Sequence, residues 1–199
     1  NLLNPHKIVR AYKSDDRSLM RYKSDYKAEN ISTHYDWSDW GQFSDAVEMC
    51  NNNGACRKLD SGVMCPSYRV TKEEKDLVRG RANTLRLALS NQLPKGSFVS
   101  KSMYETMELC VSCKACQREC PMSVDMAKMK SEFLSHYYKK FSMSIKDKVI
   151  SNMPKLIWLL KISNPIVNFL NKVPIINQII EWFGFSSKRS LPIVENQSP

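Results

Sequence analysis

The chain has 199 residues, of which 30 are Lys or Arg and 20 are Asp or Glu, so its net charge is +10. The length allows one domain with a modest core, and the seven cysteines, an odd number, exclude a complete disulfide framework. The basic residues are dispersed, and the sequence has no helix-turn-helix, zinc-finger or RRM motif, so no nucleic acid is expected as a partner.

The N-terminal part of the chain is polar and irregular. Residues 10–36 have scattered tyrosines and no apolar periodicity, which predicts an extended linker that lies on another surface. In the segment that follows, Phe43, Ala46, Val47 and Cys50 stand at i, i+3, i+4 and i+7. One face of a helix is therefore expected to deliver Cys50 into the core.

The first cysteine group consists of Cys50, Cys56 and Cys65, and a proline follows the last of them. We compared it with the pattern C-x2-C-x2-C-x3-C-P of bacterial-type ferredoxins. Asn53 stands where that pattern has its middle cysteine, and residues 57–64 lengthen the gap before the Cys-Pro pair. This group therefore offers three thiols instead of four.

Helices are predicted on both sides of the second cysteine group. Capping boxes at Thr71 and Ser102 predict two helix starts; the first helix should end near Leu93, and the second should lead into Cys110. A third helix is expected over 121–138. No segment has a convincing strand pattern, so the predicted fold class is all-α with two cysteine loops between helices.

The second cysteine group follows the ferredoxin pattern without a change. Its cysteines are Cys110, Cys113, Cys116 and Cys120, and a proline follows the last. In this pattern the first three cysteines bind one [4Fe–4S] cluster, and the fourth binds the other cluster of a two-cluster protein. The motif therefore implies that the first group takes part in a second site.

If the last cysteine of each group binds in the site formed by the other group, all seven cysteines are divided between two sites. The four-thiolate site is predicted to bind a [4Fe–4S] cluster through Cys65, Cys110, Cys113 and Cys116. The three-thiolate site takes the remaining Cys50, Cys56 and Cys120. Three thiolates suit a [3Fe–4S] cluster, or a [4Fe–4S] cluster with one ligand that is not cysteine, for which Asn53 is the candidate.

Two other metal arrangements stay open at this point. Zinc also binds C-x2-C pairs, but the three histidines, His6, His34 and His136, do not stand at ligand spacing from a cysteine. A single iron–sulfur cluster is the second alternative, because the first group departs from the pattern. Thiolate ligands and the lack of a secretory signal at residues 1–9 lead us to expect a reducing, cytoplasmic location.

The C-terminal part, residues 149–185, is strongly apolar and is interrupted by Pro154, Pro165 and Pro174. It is expected to form short helices, each too short to span a bilayer. It would pack on another domain or subunit, lie on the inner membrane as a peripheral amphipathic anchor, or fold into its own core. The excess of lysines over 139–172 suits an acidic protein or anionic lipid headgroups, and an ordinary solvated face is the alternative.

Four stretches of the sequence resemble a known family: residues 3–9, 50–68, 79–82 and 110–126. The family is that of large FAD-linked oxidoreductases fused to an Fe–S region, relatives of D-lactate, glycolate and D-2-hydroxyglutarate dehydrogenases. The resemblance implies an α-helical ferredoxin-like fold. It also implies that FAD and the substrate bind in a domain upstream of this chain.

The resemblance also implies a domain organisation. Residues 1–9 would be the C-terminal end of a FAD-linked oxidase domain, and residues 10–36 would be a linker. Residues 37–148 would form the Fe–S domain, and residues 149–199 a helical connector toward a downstream domain.

The implied function is a relay of electrons from a FAD-linked 2-hydroxy-acid dehydrogenase, as a domain or a subunit, to an acceptor such as a quinone or an acidic redox protein. No catalytic residue is expected in this chain. Arg57, Arg79 and Arg81 are candidates to lie beside the clusters and raise their reduction potential. Their alternative role is surface charge or a helix-packing ion pair.

Two other functions stay open on the sequence. The chain would be a separate Fe–S subunit of a complex like glycerol-3-phosphate dehydrogenase or heterodisulfide reductase, or it would carry a structural cluster in a fragment of a nucleic-acid enzyme.

Overall fold

The computed structural model describes residues 26–60, 62–155, 178, 181–182 and 186, and these residues contain helices and no strand. The predicted all-α class is therefore confirmed. The α-helices are α1 (Phe43–Glu48), α2 (Pro66–Thr71), α3 (Val78–Leu89), α4 (Lys101–Glu108), α5 (Ala115–Glu119), α6 (Met126–Lys140) and α7 (Ile145–Ser151). Short 3-10 helices lie at Ser38–Trp40, Ala55–Arg57, Glu74–Asp76 and Ser97–Val99.

The chain divides into two compact units, and the boundary between them lies between Lys140 and Phe141. The first unit contains α1 to α6 and all seven cysteines. In the second unit, the side chain of Ser144 caps α7 by accepting the Asp147 N–H. Most of the predicted proline-broken helices over 149–185 lie outside the described residues. In the part of the chain that is described, no helix is long and apolar enough to cross a membrane.

A row of aromatic rings forms one side of the core of the first unit. Trp37 meets Phe43 at a centroid distance of 5.0 Å, Phe43 meets Phe98 at 6.1 Å, and Phe98 meets Phe133 at 6.0 Å. Each pair is edge-to-face, the arrangement that aligns the positive edge of one ring with the negative face of the next. The row connects α1 to α6 and so fixes the helices that carry the cysteine loops.

Two predicted helix starts differ from the structure. The capping box at Thr71 is wrong: the Thr71 hydroxyl donates to Asp76 Oδ2 at 2.7 Å at the end of α2, and α3 begins only at Val78. The capping box at Ser102 is displaced by two residues, because the hydroxyl of Ser100 accepts the Met103 N–H.

The third predicted start is also late in the structure. Helix α6 begins at Met126 instead of residue 121, and Asp125 caps it by accepting the Lys128 N–H at 3.0 Å. Residues 121–125 form the turn that leads from the last cysteine to this helix.

Candidate iron–sulfur site

A cavity lies between the start of α3, the start of α6 and the second cysteine loop. Four cysteines line it, and they come from two loops: Cys65 from the first, and Cys110, Cys113 and Cys116 from the second. These are the residues of the predicted four-thiolate site. Four thiols around one cavity have the donor chemistry of an Fe–S cluster site, so these four cysteines fit such a cluster. Their role as ligands stays a prediction.

No group of three or more His, Cys, Asp or Glu side chains in the described residues converges as closely as a single metal ion requires. The four cysteines line one cavity but do not converge on a single point.

The second cysteine loop has two residues in the left-handed region. Ser112 has φ of 53° and Lys114 has φ of 58°. For residues other than glycine this conformation costs roughly 1–2 kcal/mol each. The two residues curl the chain between Cys110 and Cys116, and α5 begins directly after them at Ala115.

The first cysteine loop repeats this conformation at an offset of sixty residues. Asn52 has φ of 64° and Gly54 has φ of 80°, two and four residues after Cys50, and a 3-10 helix begins at Ala55. Asn53 therefore occupies the position in its loop that Cys113 occupies in the other. Both side chains are exposed.

The amide of Asn53 is engaged within its own loop. Its Oδ1 accepts the Ala55 N–H at 2.8 Å, and its Nδ2 donates to Asn51 Oδ1 at 2.7 Å. In this conformation Asn53 holds the loop in shape, and both of its polar atoms already have partners.

The starts of two helices direct N–H groups at the cysteine sulfurs. The Val78 N–H donates to Cys65 Sγ at 3.3 Å. The Arg79 N–H faces the sulfur of Cys56, and the N–H groups of Met126 and Ala127 face that of Cys116. Such donors, at the positive end of a helix dipole, stabilise a thiolate relative to a thiol.

Burial works in the opposite direction on the same thiols. It raises the pKa of Cys56 and Cys116, and it raises the pKa of Cys65 to about 12. The negative charge of Cys50 adds to the effect on Cys56, and the charges of Cys56 and Cys116 add to the effect on Cys65. Metal binding requires the thiolate, so ligation at these positions releases protons.

Arg79 faces Cys56 and Cys50 of the three-thiolate site, and its predicted role beside a cluster stays a prediction. Its Nη1 donates to the carbonyl of Asn52 at 3.4 Å, and its Nε pairs with Glu74 at 2.5 Å. The Glu74 carboxylate, and after it the thiolates of Cys56 and Cys50, raise the pKa of Arg79. Arg57 is exposed, and its Nε donates to the Tyr68 hydroxyl at 3.3 Å.

Arg81 lies at the cavity and forms a buried ion pair, and its predicted effect on a cluster stays a prediction. It lines the cavity of the four-thiolate site, and its side chain is 2% exposed. It forms an ion pair with the buried Asp76 at 3.7 Å, and it donates to the carbonyls of Thr106 at 2.9 Å and Asp76 at 2.7 Å. It therefore places a buried positive charge beside the cavity and joins α3 to α4.

Of the three cysteines of the three-thiolate site, Cys50 and Cys56 are buried, and Cys120 is half-buried at the end of α5. Next to Cys120, the carboxylate of Glu119 accepts the N–H groups of Val63 at 2.9 Å and Met64 at 3.0 Å. This contact holds the inserted loop 57–64 against the end of α5. The full ligand set of this site stays a prediction.

Sequence reasoning missed a matched pair of cations behind the two loops. Arg86 Nη2 on α3 donates to the carbonyls of Glu48 at 3.1 Å and Cys50 at 2.9 Å. Lys130 Nζ on α6 donates to the carbonyls of Glu108 at 3.1 Å and Cys110 at 2.6 Å. The acceptors stand at the same sixty-residue offset as the loops.

A comparison of 43–56 with 103–116 would have found the signal for this pair. Both segments contain Glu-x-Cys followed by Ala-Cys at equal spacing, namely Glu48-Met49-Cys50 with Ala55-Cys56 and Glu108-Leu109-Cys110 with Ala115-Cys116. The two segments therefore share this pattern, and Asn53 stands where the second segment has Cys113.

Comparison with known proteins agrees with this geometry. Residues 46–124 match the family model of the 4Fe-4S dicluster domain. The chain is similar to D-2-hydroxyglutarate dehydrogenase of Escherichia coli (strain K12), with 26% identity over 70% of this chain and 17% of that protein. The enzyme of the same name in Pantoea ananatis (strain AJ13355) is 25% identical over 98% of this chain and 22% of that protein.

The chain thus spans about a fifth of the length of the curated relatives it matches. No solved structure gives a significant match. The predicted resemblance to the Fe–S region of the FAD-linked dehydrogenases is confirmed by the family model and these relatives.

Proposed function

We propose that this chain is the electron-transfer module of a FAD-linked 2-hydroxy-acid dehydrogenase, because residues 46–124 match the family model of the 4Fe-4S dicluster domain. The similarity to proteins named D-2-hydroxyglutarate dehydrogenase supports D-2-hydroxy acids as the substrate class, which a flavin domain outside this chain would oxidise. When bound, Fe–S clusters accept and release electrons one at a time. The observation that carries the proposal is the cavity lined by cysteines of two separate loops.

The role of this chain is to hold the cofactors and to set their surroundings. Cys65, Cys110, Cys113 and Cys116 would hold the [4Fe–4S] cluster. Backbone N–H groups of Val78 and Met126 face two of these sulfurs, and hydrogen bonds to sulfur raise the potential. The charge of Arg81 beside the same cavity acts in the same direction.

Cys50, Cys56 and Cys120 would form the second station. The local bonds of Asn53 favour three thiolates, and hence a [3Fe–4S] cluster, over a [4Fe–4S] cluster ligated by that amide. The charge of Arg79 faces Cys50 and Cys56 and would raise the potential there. Arg57 would add a more distant positive charge, because it is exposed.

The electron acceptor would approach the second cysteine loop. Cys113 is exposed, Val111 beside it is 66% exposed, and Lys114 and Arg118 are exposed on the same loop and helix. An apolar residue beside basic ones suits an acidic redox protein. A quinone, reached through peripheral membrane contact by the second unit, is the other acceptor, and the exposed Ile145 and Trp182 of that unit support such a contact.

The test is iron and acid-labile sulfide analysis with EPR on protein purified without oxygen. We expect about seven to eight irons per chain, the content of one [4Fe–4S] and one smaller or equal cluster. Four irons would mean a single station, and zinc without sulfide would contradict electron transfer altogether.

Two variants from separate loops make this test specific to the ligand assignment. Cys65→Ser and Cys113→Ser should abolish the same reduced EPR signal, although the two residues lie in different loops. Cys50→Ser is the matched control and should leave that signal in place. If Cys65→Ser affects only the signal that Cys50→Ser affects, the ligands do not cross between the loops.

A further inference from the structure

We propose that residues 26–37, named here the N-terminal strap, form a fixed connector across the iron–sulfur domain, with Glu132 as its positioning residue. The strap would fix where residue 26 lies on the domain. The strap would thereby restrict where the flavin domain of the proposed function can lie relative to the clusters. Only this consequence rests on the proposed function. Relative motion is otherwise the default for domains joined by a linker.

The strongest anchor of the strap is the carboxylate of Glu132, whose side chain on α6 is fully buried. Its Oε1 accepts the His34 N–H at 2.9 Å, and its Oε2 accepts the Tyr35 N–H at 3.0 Å and the Trp37 Nε1–H at 3.1 Å. His136 Nε2 lies 3.2 Å from Oε1. Burying a carboxylate is unfavourable unless its oxygens are satisfied, and here the strap supplies most of the donors.

A second contact on the same helix reinforces this anchor. Lys128 Nζ lies 4.3 Å from the ring centroid of Trp37 and 5.0 Å from that of Trp40, and it donates to the carbonyl of Asp36 at 2.5 Å. A cation over an aromatic face is attracted by the ring quadrupole. Glu132 and Lys128 are one turn apart, so a single helix holds the strap by its backbone and by its tryptophan.

The strap is held at two further places along its length. The Glu29 N–H donates to the carbonyl of Leu89 at 2.8 Å, and Asn91 Nδ2 donates to Glu29 Oε1 at 2.8 Å. Nearer its start, the Tyr26 hydroxyl donates to the Glu48 carboxylate. Its contacts are therefore spread over its whole described length, unlike those of a linker that touches the domain at one end.

Each anchor lies on an element that also positions a cysteine. Helix α6 holds Glu132 and directs the Met126 N–H at Cys116. Helix α3 ends at Leu89 and directs the Val78 N–H at Cys65. Helix α1 ends at Glu48, two residues before Cys50. The strap is thus connected to the framework of both predicted cluster sites.

The experiment is backbone hydrogen exchange on the full chain with its clusters. In the wild type, amides of the strap should exchange slowly, above all those of His34 and Tyr35. Glu132→Ala should accelerate exchange over 26–37 by about tenfold or more, because three hydrogen bonds lose their acceptor. Glu132→Gln retains one acceptor oxygen and should give a smaller increase. Glu105→Ala, an exposed glutamate of α4, is the matched control and should change nothing.

Two results would overturn the proposal: rapid exchange of the strap in the wild type, or equal acceleration across α3, α5 and the strap in Glu132→Ala, which would make Glu132 a general core residue. If Glu132→Ala does not fold, Asn91→Ala removes a separate anchor and should accelerate exchange near Glu29 alone. Iron content and EPR, measured on the same samples, test the proposed function separately. A protein without clusters but with a protected strap would contradict that function and retain the strap.

Discussion

Asn53 and Cys113 occupy the same position in two loops of like backbone conformation. Each lies three residues after the first cysteine of its loop, and each is flanked by residues in the left-handed region. The repeat has the same loop shape, including a left-handed Asn52, at the site where Asn53 stands in place of the middle cysteine. The local hydrogen bonds of Asn53 hold this shape, and a second cluster at the three-thiolate site stays part of the proposed function.

Replacing Asn53 with cysteine should add a fourth thiolate to the three-thiolate site. We expect Asn53→Cys to raise the iron content by about one per chain and to replace an oxidised [3Fe–4S] EPR signal by a reduced [4Fe–4S] signal. EPR of the oxidised and reduced protein is the measurement. Asn51→Cys, in the same exposed loop but off the repeat position, should leave the spectrum unchanged. A [3Fe–4S] signal that persists in Asn53→Cys would mean that position 53 does not face the cluster, and the absence of that signal from both proteins would mean that the loop binds no cluster.

The matched cations Arg86 and Lys130 are expected to affect both stability and potential. Lys130→Met leaves the carbonyls of Glu108 and Cys110 without their donor, which should cost about 1–3 kcal/mol of unfolding free energy. Loss of the charge should also lower the potential of the cluster in the four-thiolate site. An EPR-monitored redox titration checks the second effect.

Lys130→Arg keeps the charge and is the control for Lys130→Met. If Met and Arg lower the potential equally, then packing and not charge is responsible.

The sequence predicted the elements that short-range chemistry determines. The helical spacing of Phe43, Ala46 and Val47 and the all-α class are found in the structure. The start of α3 could not be predicted, because Thr71 is part of a capping-box pattern but its hydroxyl donates to Asp76. This contact forms within the folded turn, and sequence patterns do not indicate it. Tertiary contacts override local propensity in this way.

The candidate site likewise has a part that the sequence predicted and a part that it did not. Cysteine spacing alone grouped Cys65 with the second loop, because ligand exchange is a property of the motif. The roles of Arg86, Lys130 and Glu132 arise from contacts between residues 20 to 98 positions apart. A charged residue on an apolar helix face is a signal of such a contact, but the sequence does not name its partner.

The ion pair of Arg81 and Asp76 should make a large contribution, because both side chains are almost fully buried. Removing one partner of a buried pair typically costs about 3–5 kcal/mol. We expect Arg81→Met to lower the unfolding free energy by this amount, measured by urea denaturation of cluster-free and cluster-loaded protein. The exposed pair of Lys75 and Glu73 is the control, and Lys75→Ala should change stability by less than about 1 kcal/mol. Equal effects of the two variants would contradict the buried-pair interpretation.

Glu132 should make stability depend on pH in the acid range. Burial raises the pKa of this carboxyl, but the N–H donors of His34, Tyr35 and Trp37 outweigh burial, and the pKa lies below the ordinary value of 4.5. A carboxyl with a lowered pKa in the folded state contributes stability that is fully present above the unfolded pKa and is lost as pH falls through the folded one. The contribution should therefore be constant above about pH 5 and decline below the ordinary value of 4.5.

The matched comparison for this pH dependence is Glu132→Gln, which cannot titrate. The difference in urea midpoint between wild type and Glu132→Gln should be largest near neutral pH and should shrink as pH falls below 4.5, because the protonated carboxyl accepts the strap N–H groups little better than the amide does. Exchange of the strap amides should accelerate over the same pH range in the wild type alone, after correction for the intrinsic rate. A midpoint difference that stays constant from neutral pH to below the folded pKa would mean that the Glu132 carboxylate does not hold the strap through its charge.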